Sequence, residues 1–146
     1  MAEMATPEND DLVARVYTQA LEARAEGREL DAADTIVYEI EMLSQEVNSG
    51  ASFEQYFRWA SVEELSRVVE RLESVGLPEV AQLTRTAIDV AFPDGLPGTD
   101  EEKDPLTAWS EDQEERLTEL AAAFEDFNGR IINVLGAYYR NNRDGS

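Results

Sequence analysis

Apolar residues recur along this chain at steps of three and four, and nowhere do they alternate with polar ones as in a half-buried strand. The pattern predicts an all-α, single-domain bundle of about seven helices. Asn9 or Asp10 is placed to cap a first helix carrying Leu12, Val13, Val16, Ala20 and Leu21, which ends before Gly27. Asp31 caps a second. Its Ile36, Ile40, Leu43 and Val47 share one face while Asp34, Glu41, Gln45 and Glu46 fall elsewhere, the pattern of a surface helix that stops at Gly50.

A short aromatic piece runs from Ser52 to Ala60, with Phe53, Tyr56 and Phe57 at i, i+3 and i+4, one helical face that reads as core. Ser61 with Glu64 has the spacing of a capping box and opens a fourth helix through Leu65, Val68, Val69 and Leu72 to Gly76. Pro78 suits the first position of a fifth, and the tight joint at 76–77 predicts an antiparallel pair. Residues 92–109 hold three of the five prolines and read as one long irregular loop. Ser110 with Gln113 starts a sixth helix bearing Leu117, Leu120, Phe124 and Phe127. Gly129 separates it from a seventh with Ile131, Ile132, Leu135, Tyr138 and Tyr139. Trp109, just before the Ser110 cap, reads most simply as a hydrophobic staple, with an interface anchor as the other reading; Trp59 is left open between core and binding surface. The expected layout is a flexible arm over 1–9, an acidic helical domain over 10–141 and a tail over 142–146.

Composition narrows the chemistry. With 32 Asp and Glu against 12 Lys and Arg the formal charge is -20, yet 42% of residues are hydrophobic, enough for a core. The absence of His and Cys removes disulfides, thiolate and imidazole metal ligands and the common nucleophilic triads. No calcium-loop order, phosphate loop or nucleophile elbow is present, so the chain is read as a non-enzyme that needs no cofactor. Direct nucleic-acid binding is disfavoured because the net field repels phosphates. No run is long enough for a membrane span, and the start MAEMATPENDD lacks the features of a signal peptide, so a cytoplasmic protein is expected.

The acidity is not confined to a tail. Residues 1–73 carry 17 acidic and 6 basic side chains and the rest 15 and 6, so the charge belongs to the helices themselves. It is densest from Asp100 to Asp126, with 11 carboxylates against Lys103 and Arg116. There Glu111, Glu115 and Glu119 follow at i, i+4 and i+8, at ~6 Å intervals along a helix, with Asp112 and Glu114 beside them. Such a row is often only a solvated face, and an acidic domain with no partner is one outcome; a basic surface that it covers is the other.

The stretch Glu46-Val47-Asn48-Ser49-Gly50-Ala51-Ser52-Phe53-Glu54-Gln55-Tyr56-Phe57 resembles a segment of a bacterial DNA-mimic protein family, and Phe92-Pro93-Asp94-Gly95 resembles a second marker of it. With the helix order, the similarity spans roughly residues 10–140. Ser49 and Ala51-Ser52 depart from the family's Asn-Asn-Gly-Gly, and Arg58-Trp59 from a more polar continuation. The resemblance implies an all-helical protein whose carboxylates replace DNA phosphates on the DNA-binding surface of a basic transcription factor or nucleoid protein. The carboxylates assigned to that role are Asp100, Glu101, Glu102, Asp104, Glu111, Asp112, Glu114, Glu115 and Glu119, with Asp34 and Glu41 from the second helix. A rival reading from the same charge is an immunity or antitoxin protein that neutralises a basic nuclease-type toxin. The sequence leaves a homodimer open.

Overall fold

The computed structural model describes residues 3–142, which form eight α-helices, one 3-10 turn and, among the described residues, no strand. Helix α1 spans Pro7–Ala25, α2 Ala32–Gly50, α3 Glu54–Trp59, α4 Val62–Val75, α5 Pro78–Ala91, α6 Asp100–Lys103, α7 Glu111–Glu125 and α8 Asn128–Asn142, with the 3-10 turn at Asp104–Thr107. The eighth helix arises inside the stretch expected to be irregular. Thr99 caps α6 by accepting a hydrogen bond from the Glu102 amide at 3.1 Å, and Pro105 sits where the 3-10 turn needs no amide donor.

Helix α2 is the centre of the bundle, packing against α1, α3, α4, α7 and α8. It is therefore not the surface helix that its period-4 stripe suggested. Val37, Ile40, Leu43 and Val47 are fully buried, and Glu39, Glu41 and Ser44 on its other sides are buried too. Helix α1 folds back onto α2, and α8 packs on both. The α4–α5 hairpin closes as expected: Gly76 takes a left-handed φ of 100°, letting the Leu77 amide reach the Leu72 carbonyl at 2.9 Å. Helix α7 then packs on α5. Phe53, Tyr56 and Phe57 are buried, Phe53 against Phe124, Phe57 against Phe92 and Trp109, and Tyr56 against Phe57, so the short aromatic piece is the core's hub.

Several ends differ from the sequence reading. Thr6 caps α1, accepting from the Asn9 amide at 3.2 Å, so the helix starts at Pro7 rather than after Asn9 or Asp10. Within the arm expected over 1–9, the Thr6 amide donates to Asn133 Oδ1 at 3.0 Å, and Asn133 Nδ2 donates to the Met4 carbonyl at 3.0 Å. Gly129 lies inside α8 rather than ahead of it. A Cβ there would strike the Glu3 carbonyl oxygen and stand 2.8 Å from the Ala5 nitrogen, so the glycine serves close approach and not helix termination. At the end of α2 it is Ala51, not Gly50, that adopts a left-handed φ of 52°. Of the tail over 142–146, only Asn142 falls within the described residues.

Candidate functional site

Helix α7 is held by its first turn. Ser110 Oγ accepts from the Gln113 amide at 3.2 Å while Gln113 Oε1 accepts from the Ser110 amide at 2.9 Å, and Gln113 Nε2 donates to the Val90 carbonyl at the end of α5 at 2.8 Å. Trp109 is buried and donates its indole N–H to the Ala91 carbonyl at 3.0 Å. It thus closes α5 instead of stapling α7, whose fourth residue, Glu114, offers no apolar surface. Leu117, Leu120, Ala121 and Phe124 take the buried stripe, which leaves Glu111, Asp112, Glu114, Glu115 and Glu119 exposed. Among the described residues no cation lies within ion-pair distance of the first four. Arg116 reaches Glu119 at 3.5 Å, but both side chains are more than half exposed, so water and salt leave the pair worth at most about 1 kcal/mol.

The carboxylates of the 93–109 segment are positioned by a buried lysine. Lys103 is 2% exposed, and its ammonium donates to the carbonyls of Phe57 at 2.8 Å, Arg58 at 3.1 Å and Ala60, which are the open end of α3. Burial lowers its pKa, opposed by the charges of Asp100, Asp104 and Glu64. Asp100 Oδ1 accepts from the Val62 amide at 2.7 Å, adding a second cap to α4 beside Ser61. Because α4 and α5 are antiparallel, the start of α4, bound by Asp100, and the end of α5, bound by Gln113, lie at the same end of the hairpin. The structure therefore brings Asp100, Glu101, Glu102 and Asp104, all exposed, to the end of the molecule where α7 begins.

Exposed Glu63, Asp89 and Asp94 belong to this end too, from the first turn of α4, the last turn of α5 and the loop after it. No spacing in the sequence links them, since each comes from a different element.

Asp34 and Glu41 do not join this group. Asp34 stands in the first turn of α2, some 13 residues or ~20 Å along that helix from the Val47–Ala51 end that borders α7. It is half-buried and bonded to Tyr139, and desolvation raises its pKa. Glu41 is buried, at 8% exposure, and desolvation pushes its pKa up to about 7 against a weak opposing hydrogen bond from Gln45. A carboxyl buried at 8% exposure and favoured in its neutral form by desolvation is not presented to solvent as the α7 carboxylates are. The central position of α2 is the reason for both corrections.

The interior also takes up cations. Glu39, 4% exposed, is held by Arg67 at 2.5 Å and Arg71 at 3.0 Å, a buried tie between α2 and α4. Glu64 turns inward near them rather than completing the capping box with Ser61, and desolvation with the Glu39 charge raises its pKa. With two arginines and the single lysine directed inward, the outer surface carries fewer cations than the composition alone suggests. Among the described residues no group of three or more acidic side chains has the arrangement to hold a metal, and no helix is long and apolar enough to cross a membrane.

The model of the DMP19-like protein family matches residues 28–142, a span that takes in α2 through α8. Comparison with curated proteins and with solved structures finds no match.

Proposed function

The chain belongs to the DMP19-like protein family, and from that premise we propose that it is a non-catalytic DNA mimic, binding the DNA-contacting surface of a basic protein in place of the duplex. The observation that carries the reading is the outer face of α7. Glu111, Asp112, Glu114, Glu115 and Glu119 fall within nine successive positions, about 12 Å of helix axis, so on average one carboxylate falls every ~3 Å. A DNA strand presents one phosphate per ~3.4 Å of axis. Asp100, Glu101, Glu102 and Asp104 extend the same field at the start of the helix.

Like charges this close repel by a few tenths of a kcal/mol per pair, with partial relief from the helix dipole for Glu111, Asp112 and Glu114. Burying them against arginines and lysines of a partner removes that repulsion and adds charge-assisted hydrogen bonds. Encounter is then steered over distances set by the Debye length, ~8 Å at physiological salt, and weakens as salt rises.

The test is the triple reversal E111K/E115K/E119K. In pull-downs from lysate over a salt series, the wild-type chain should retain basic DNA-binding proteins at low salt and release them at high salt. The reversed variant should retain fewer and show a flatter salt response. Equal capture by the two forms would place the binding surface elsewhere.

A further inference from the structure

Recognition of a basic partner by charge alone would not discriminate among DNA-binding proteins, yet the acidic end of this molecule also bears an apolar feature. Trp59 is 77% exposed at the last position of α3, in a chain whose other tryptophan is buried in the core. Leu106, 46% exposed, stands on the 3-10 turn Asp104–Thr107, which packs against α3. The Lys103 ammonium ties these two elements together through the Phe57, Arg58 and Ala60 carbonyls on either side of Trp59, so the indole is carried on an anchored backbone. The neighbouring cation, Arg58, is directed away from it, onto the Trp109 ring at 5.0 Å and toward Glu54 at 3.6 Å.

The segments that adjoin this backbone are acidic. Asp100 caps the Val62 amide three residues from Trp59, Glu101, Glu102 and Asp104 are exposed on either side of the Lys103 tie, and Glu63, paired with Arg67 at 3.3 Å, is exposed in the first turn of α4. A large exposed aromatic costs solubility, whereas a tryptophan on a rigid backbone next to acidic turns has the layout of an interface anchor with a polar rim.

We infer that Trp59 and Leu106 form an apolar anchor site that takes a cationic amphipathic helix, the indole packing on the helix's apolar face while the carboxylates around it meet its lysines and arginines. Charge complementarity selects this occupant: an acidic or neutral apolar helix would face the same rim unpaired. The inference rests on the proposed DNA-mimic reading and adds to it, because α7 supplies the phosphate-like field and Trp59 supplies a contact that DNA lacks.

The test uses two synthetic helical peptides of equal length and equal positive charge, one with leucines along one face and one with glutamines there, titrated onto the full chain with anisotropy detection at low and high salt. The leucine peptide is expected to bind at least about tenfold tighter, with a blue shift of the exposed indole's emission. Trp59→Ala, at an exposed position, should abolish that preference while leaving the circular dichroism and the affinity for the glutamine peptide unchanged. Trp59→Phe should restore part of it. If both peptides bind alike, or if Trp59→Ala keeps the preference, the anchor is refuted and the acidic-face reading stands. If neither peptide binds the wild-type chain at low salt, the acidic-face reading falls and the anchor with it.

Discussion

Glu41 offers the most quantitative consequence of the bundle's architecture. Its carboxyl lies in the interior of the α1–α2 pair, where loss of hydration raises the pKa from 4.5 to about 7. The native state therefore holds this proton more tightly than the unfolded chain does. Stability from this group is complete below about pH 4.5, falls as pH rises toward 7, and levels off above it. At 1.36 kcal/mol per pKa unit, ionising Glu41 in place costs on the order of 3 kcal/mol. Glu41→Gln keeps the shape and removes the ionisation. Urea unfolding of both proteins between pH 4 and 8 should show a stability difference that grows in favour of the variant by about 2–3 kcal/mol across that range, with equal m-values. Asp34 and Glu64, also raised by burial, titrate in both proteins and cancel in the difference. A difference that does not change with pH would refute the assignment of Glu41 to the interior.

Lys103→Met leaves three carbonyls at the end of α3 without this donor and should cost about 3 kcal/mol, read by chemical denaturation, with faster amide exchange over 93–109; unchanged exchange there would contradict its role as a clasp. Gly129→Ala gains about 1 kcal/mol of helix propensity but pushes residues 3–6 off α8, so global stability should stay near wild type while the Thr6 amide loses exchange protection. Ala51→Gly relieves a left-handed alanine at the end of α2 and should stabilise by about 0.5 kcal/mol after the glycine's extra unfolded-state entropy is counted; a loss measured by urea unfolding would count against the strain.

The helices were legible because each has a local cause. Ser61, Ser110, Asp31, Gly76 and Pro78 act within a few residues of themselves, and the structure places them at the ends that their chemistry demands. The aromatic face of α3 was legible for the same reason. What depended on neighbours far along the chain was not. A period-4 stripe on α2 looks the same whether the opposite side meets water or a second layer of helices, so Glu41 reads as exposed until α1 is in place. Lys103, in a segment rich in proline and acid, gave no sign that its ammonium would close a helix more than 40 residues earlier. For the candidate surface, the α7 row was readable from spacing alone, while the addition of Glu63, Asp89 and Asp94 requires the α4–α5 hairpin to bring separate elements to one end.

In the proposed mimicry, the acidic end of this protein and duplex DNA compete for one surface. The direct measurement captures a DNA-binding protein on the immobilised chain at low salt and adds increasing duplex DNA that carries its binding site. Mimicry predicts that DNA displaces the chain as it saturates the captured protein, with no species containing all three. Retention of the complex at saturating DNA, or a stable ternary assembly, would contradict it.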